Sequence, residues 1–90
     1  MVETASEINQ RDAEKKRLGY WEFYFLNGNL IWTGYYEKDK RSGYWEDYGL
    51  DGNLNWTGHY DGKGLRVGCW EFYNKDGSLT HKTFYGRNYE

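Results

Sequence analysis

Three glutamates, Glu22, Glu46 and Glu71, recur at intervals of 24 and 25 residues, each inside a W-E-x-Y phrase. Carboxylates in such a column can ligate a metal ion, or act in pairs on a glycosidic bond, provided that they converge. The chain offers few other reactive groups: one cysteine (Cys69), two histidines (His59, His81), a Gly62-Lys63-Gly64 segment, and the bases Lys38, Lys40, Arg41, Lys63 and Arg66. What these residues can do depends on the elements that hold them.

Those elements are repeated. Residues 19–36 read GYWEFYFLNGNLIWTGYY, residues 43–60 read GYWEDYGLDGNLNWTGHY, and residues 68–85 give a worn third version, GCWEFYNKDGSLTHKTFY. Such self-similarity marks an array whose units stack on their neighbours. Seven columns are invariant: Gly19/43/68, Trp21/45/70, Glu22/46/71, Tyr24/48/73, Gly28/52/77, Leu30/54/79 and Tyr36/60/85. An eighth holds Asn27, Asp51 and Asp76, directly before the second glycine. Asn-Gly and Asp-Gly between strand-like runs signal a hairpin with a two-residue type I′ turn. Each repeat therefore reads as a β-hairpin.

A two-residue turn at Asn27-Gly28 sets Phe23 opposite Trp32 and Trp21 opposite Gly34, and the second copy sets Trp45 opposite Gly58. Each indole is then expected to cover the glycine that it faces. Alternation assigns Trp21, Phe23, Phe25, Leu30, Trp32, Tyr36 and their counterparts to a core face. The other face collects Tyr20, Glu22, Tyr24, Thr33 and Tyr35, then Tyr44, Glu46, Tyr48, Thr57 and His59, then Glu71, Tyr73, Lys82 and Phe84. In copy three Trp70 faces Thr83 and His81 replaces the second tryptophan, as suits a degenerate terminal repeat.

This placement argues against catalysis. Equivalent strands of successive hairpins lie two strand spacings apart, so neighbouring glutamates are expected ~9–10 Å apart. Metal ligation needs oxygens within ~2.6 Å of one ion, and retaining glycosidases hold their carboxylates ~5 Å apart. The glutamates suit cross-strand pairing instead, Glu71 with Lys82 and Glu22 and Glu46 with Thr33 and Thr57. His59 and His81 fall on opposite faces, against a shared metal site. Cys69 occupies a tyrosine column as a part-buried thiol with no oriented base. Gly62-Lys63-Gly64 is a turn without the context of a phosphate loop. The five loop bases form at most a modest anion-binding edge, diluted by Glu37, Asp39 and Asp61. The reading is of no enzyme, no metal and no cofactor.

Composition fits one small all-β domain with a thin, aromatic core. Apolar residues are 38 % of the 90, aromatics 21 %, proline is absent and formal net charge is −2. That charge weighs against generic binding to a phosphate backbone. A single cysteine and no apolar run of signal-peptide or membrane-span length lead to the expectation of a soluble, cytoplasmic protein. Residues 1–17 form a polar leader of four acids and four bases without an apolar stripe, expected to be flexible or helical with Thr4 or Ser6 as cap. Residues 18–90 form the repeat domain, divided as 18–41, 42–66 and 67–90. The overall expectation is an antiparallel meander of three tandem hairpins in a single twisted sheet.

The pattern G-x-W-x-x-Y-x-x-(N/D)-G-x-L-x-x-x-G-x-Y resembles the MORN repeat, most nearly its bacterial variant found in tandem in antitoxin-like modules. The chain departs from it at Thr83, where copy three lacks a glycine, and in the glycine-free loop Glu37–Ser42. The resemblance implies an elongated β-meander and a role as an interaction module. Free-standing, such a module would serve as an adaptor, an antitoxin-like factor or an inhibitor of a partner protein, including phage or mobile-element anti-defence. Rigid tyrosines suit a protein interface, which makes Tyr20, Glu22, Tyr24, Tyr35, Tyr44, Glu46, Tyr48, His59 and Tyr73 the expected partner-binding set. The alternatives are an aromatic platform for single-stranded nucleic acid or a nucleotide, and attachment to an anionic membrane surface. Self-association through a sheet edge or the apolar face is a further expectation.

Overall fold

A computed structural model of the chain describes residues 8–86. They form one open antiparallel sheet in sequence order: β1 (Gln10–Arg11), β2 (Arg17–Tyr24), β3 (Leu30–Glu37), β4 (Lys40–Tyr48), β5 (Leu54–Asp61), β6 (Arg66–Tyr73) and β7 (Leu79–Tyr85). β2–β3, β4–β5 and β6–β7 are the three repeat hairpins. The described residues contain no helix, and so none long and apolar enough to cross a membrane.

The leader departs from expectation. Its proposed caps, Thr4 and Ser6, lie outside the described residues. Residues 8–17 are not helical: β1 pairs Gln10 with Leu18 and Arg11 with Arg17. The Asp12 carboxylate accepts from the amides of Glu14 (2.9 Å) and Lys16 (3.0 Å), a local bonding pattern that competes with a helix. Asn9 then takes over where the strand ends. Its side-chain oxygen accepts from the Glu22 amide and its Nδ2 donates to the Glu22 carbonyl, so a side chain stands in for backbone along the outer edge of β2.

The hairpin tips also differ in kind. The backbone pairs Phe23 with Trp32 and Trp21 with Gly34 as expected, but a bulge beyond Phe23 brings Tyr24 opposite Leu30. Gly28 N donates to Phe25 O and Phe25 N to Asn29 O, and at the tip Gly28 has positive φ (94°) while Asn27 does not. This is a type I turn closed by a left-handed glycine, one residue longer than the two-residue loop. The column of Asn27, Asp51 and Asp76 is explained differently too: each side-chain oxygen accepts the amide two residues on, at 2.9 to 3.0 Å. The two-residue turn with both φ positive occurs instead at Lys38-Asp39 (50° and 70°). There Asp39 accepts from the Arg17 amide and guanidinium, 2.7 and 2.9 Å, which ties the glycine-free loop to the start of β2.

Successive hairpins are joined through a second irregularity. Pairing between β3 and β4 steps from Thr33–Glu46 to Tyr35–Ser42, leaving two extra residues on β4; β5 and β6 repeat it, from Thr57–Glu71 to His59–Val67. Gly43 and Gly68 sit in these bulges with φ of 67° and 72°, a backbone that a Cβ disfavours. The tryptophan two residues on closes the gap. Trp45 Nε1 donates to Tyr35 O and Ser42 O (3.2 and 3.1 Å), and Trp70 Nε1 to His59 O and Val67 O (3.3 and 3.2 Å), the residues that bound each bulge. Trp21 uses the same donor on Gln10 O of β1.

The indoles therefore lean back by one strand. Trp45 is paired with Gly58 in the ladder, yet a Cβ added at Gly34 would fall inside the Trp45 indole, 2.6 Å from Cε3 and closer still to two ring carbons. Gly58 is covered by Trp70 in the same way. Trp45 and Trp70 thus each cover the glycine of the preceding repeat, not the residue they face. At the equivalent position β7 carries Thr83, paired with Trp70.

Burial in so thin a sheet needs a lid. Trp45 and Trp70 are each 1 % exposed, with Trp21, Tyr36 and Tyr60 completing the core and Trp32, Trp56, Phe72 and Tyr85 packed against it. Phe25, Leu30, Leu54 and Leu79 of the expected core face do not join this cluster, and Phe23 is half-exposed. The tip bulge interrupts the alternation that had placed the leucines. The lid is a column that sequence reading passed over: Arg17, Arg41 and Arg66. Their guanidiniums lie over Tyr36 (4.1 Å), Trp45 (4.7 Å) and Trp70 (4.9 Å), and donate to the hydroxyls of Tyr36, Tyr60 and Tyr85. A stacked guanidinium covers a ring face while keeping water at its rim.

The backward lean gives a direct test by double-mutant cycle. Gly34→Ala should destabilise by about 3 kcal/mol through overpacking, and this cost should fall below about 1 kcal/mol in a Trp45→Phe background. Gly58→Ala should keep its full cost there. Urea unfolding of the singles and doubles checks it; coupling of Trp45 to Gly58 in place of Gly34 would overturn the assignment.

Candidate functional site

The face opposite the tryptophans carries the expected contact residues, and hydrogen bonds explain their spacing. Along a strand, residues two apart share a face, so the phrase Y-x-E-x-Y presents Tyr, Glu, Tyr side by side. Tyr20 donates to Glu22 Oε2 at 2.9 Å and Tyr24 to Oε1; Tyr44 donates to Glu46 Oε2 at 3.1 Å and Tyr48 to Oε1 at 2.8 Å. In repeat three Tyr73 donates to Glu71 Oε1 at 2.6 Å, Cys69 stands where the first tyrosine would be, and Lys82 lies 4.0 Å from Oε2. Glu22 and Glu46 are thus bracketed by two phenols from their own strands, while Glu71 accepts from one, Tyr73. Charged acceptors make these among the stronger neutral-donor hydrogen bonds.

The threonines complete the layer from below. Glu22 pairs with Thr33, Glu46 with Thr57 and Glu71 with Lys82, as the sequence suggested, and across the repeat junctions Thr33 also pairs with Glu46 and Thr57 with Glu71. Both threonines are buried, 6 % exposed, though their face reads as the wet one. The tyrosines lean inward to their glutamates and roof them over. Tyr20 also packs on Tyr35 (5.3 Å) and Tyr44 on His59 (5.3 Å), so all nine expected contact residues stand on one surface.

Solvent meets this surface as rings. Tyr24, Tyr35 and Tyr44 are 52 %, 46 % and 42 % exposed. Phe84, opposite Cys69 at the β7 end, extends the apolar area. Cys69 is exposed, not part-buried as expected, like Tyr44 at the same position of repeat two. The basic edge is weaker than its residue types suggest, since Arg41 and Arg66 are committed to ring faces. His59 stacks near Tyr44 on this face and His81 on Phe72 of the other (4.6 Å). Among the described residues no group of three or more His, Cys, Asp or Glu is arranged to hold a metal ion.

The phenols are held neutral. Burial, followed by the bond to Glu22, pushes Tyr20 up to about 12, and burial followed by Glu46 does the same for Tyr48. Tyr44 is raised by burial and the Glu46 charge, Tyr24 and Tyr73 first by their hydrogen bonds to Glu22 and Glu71. A folded pKa above the ordinary 10.0 binds the proton more tightly in the native state, so this stabilisation is complete below pH 10 and is lost as pH rises toward 12. Phenolate absorbance should therefore show a late-titrating class, with the urea midpoint falling over the same interval. Glu46→Gln should move that class downward; titration of every tyrosine near pH 10 would contradict the bracketed arrangement.

Comparison of the chain with known protein families, with curated proteins and with solved structures returned no match.

Proposed function

We propose that this protein is a small, non-catalytic protein-binding module of MORN-like character, acting as an adaptor or as an antitoxin-like or inhibitory factor, with the Tyr/Glu face as its contact surface. The observation that carries this reading is the bracketing of Glu22 and Glu46 by two tyrosine hydroxyls each, with Tyr73 on Glu71. It turns the polar atoms of the face toward one another and leaves ring edges and planes to the outside. Rings fixed in this way give a large contact area with little conformational entropy left to lose on association. The same bracketing sets carboxylates at the centre of the platform, where they oppose a phosphate backbone or an anionic headgroup, and two of the loop arginines are engaged elsewhere.

The test is a tagged pull-down from the source cells, with and without nuclease, comparing wild type with Tyr24→Ala/Tyr44→Ala. Both rings are exposed, so the double variant should lose less than about 1 kcal/mol of stability in urea while retaining a tenth or less of a stoichiometric, nuclease-resistant protein partner. Recovery of nucleic acid alone would replace this reading with the stacking-platform one. A partner retained by the variant would remove the Tyr/Glu face from the interface.

A further inference from the structure

On the tryptophan face, one row crosses the sheet as Phe23, Trp32, Asp47, Trp56, Phe72 and His81. In repeat one Phe23 lies flat on Trp32, centroids 4.8 Å apart and planes 4° apart; in repeat three Phe72 lies on His81 at 4.6 Å and 10°. Repeat two breaks the rule. Its stacking residue is Asp47, so Trp56 packs against Trp70 on one side (4.8 Å, 29°) and is paired on the other with a carboxylate. A second substitution lies close by: Gly49 stands where repeats one and three have Phe25 and Asn74, and its nearest side chains are Asp51 and Asn55. An open depression of about 470 Å³ lies at this end of repeat two, lined by Gly49, Leu50, Asp51, Asn55 and Lys75. Asn55 Nδ2 donates to Asp47 Oδ2 at 3.2 Å, which joins the depression to the carboxylate.

An indole stacked on one side only, with a carboxylate as its partner on the other, suits a flat cation. The protein displays that preference internally, where Arg17, Arg41 and Arg66 lie 4.1 to 5.6 Å from ring centroids. Among the described residues no guanidinium lies over Trp56. Arg41, whose charge reaches Asp47, is placed over Trp45 and Tyr60 and makes no ion pair with it. Burial pushes the Asp47 carboxyl up, against the Asn55 bond and the Arg41 charge, as for an acid partly removed from water. The depression itself carries one acid, Asp51, and one base, Lys75, so Asp47 sets the sign of the site.

We propose that the Trp56–Asp47 notch of repeat two receives a guanidinium group, presented as an arginine side chain of a partner protein. Stacking on Trp56 with an ion pair to Asp47 would restore the layer that phenylalanine completes in the other repeats. The depression is open, whereas small free ligands need enclosure over most of their surface; a side chain held by a macromolecule does not. The notch lies on the opposite face from the Tyr/Glu array, so it does not rest on the function proposed above.

Titration of the full chain with N-acetyl-arginine amide, followed at the Trp56 indole N–H by NMR, tests this. A saturable shift is expected, with the neutral citrulline counterpart and the lysine counterpart each at least tenfold weaker. Asp47→Asn, close in size and shape, should weaken binding about tenfold, and Asp47→Phe should abolish it while leaving the urea midpoint unchanged or higher. Equal response to citrulline or lysine, or binding that survives Asp47→Phe, would overturn the guanidinium site. Free L-arginine binding more than tenfold tighter than the capped form would make it a pocket for an amino acid and overturn the partner assignment.

Discussion

An indole lying flat on a bare stretch of backbone is the contact on which the sheet depends. In each inter-repeat junction a positive-φ glycine makes a bulge, the tryptophan two residues later reaches back across it, and a second glycine in the preceding strand leaves room for the ring. One side chain thereby buries its large apolar surface, satisfies its N–H on carbonyls beside the bulge, and fixes the offset between hairpins. A single-layer sheet has no opposing layer against which to bury side chains. Here the side chains lie down along the sheet, and the arginines stacked above them serve as the missing layer.

The two faces solve the same problem with different chemistry. On the tryptophan face, rings and guanidiniums tile over glycine; on the other, tyrosines and glutamates tile over threonine. The polar face is ordered because Glu22 and Glu46 each accept from two phenols of their own strand and Glu71 from one, so each cluster forms locally and the ladder only aligns it. This division also explains why repeat two differs usefully from its neighbours: Asp47 and Gly49 alter one face at one place and leave the Tyr44–Glu46–Tyr48 triad intact.

The hairpins, their order and the pairings of Phe23 with Trp32 and Trp21 with Gly34 were legible because a repeat exposes its columns, and alternation assigns their faces. Other features were not. The lean of Trp45 onto Gly34 depends on a bulge at Gly43, and a register drawn with straight strands cannot contain it. The type I turns with a left-handed Gly28 and the two-residue turn at Lys38-Asp39 exchange the geometries that residue type alone favours, since the Asp39–Arg17 contact holds Lys38-Asp39 where no glycine is present. The arginine column at 17, 41 and 66 has the repeat's own spacing, but residue type alone marks Arg41 and Arg66 as loop charge, and their place over the rings depends on side-chain direction. In the contact face, the residues could be named from alternation, whereas the bracketing that joins them and the burial of Thr33 and Thr57 needed side-chain directions.

Thr83 bears on assembly. A stack of identical units with open ends would add further copies indefinitely, because whatever joins one unit to the next would equally join one molecule to another. At the β7 end a threonine occupies the place of Gly34 and Gly58, and its side chain takes the space in which an incoming indole would lie. At the β2 end Asn9 and β1 already occupy the edge. The indole-on-glycine contact that joins one repeat to the next therefore meets a side chain at β7 in place of bare backbone, and at the β2 edge a strand already in place.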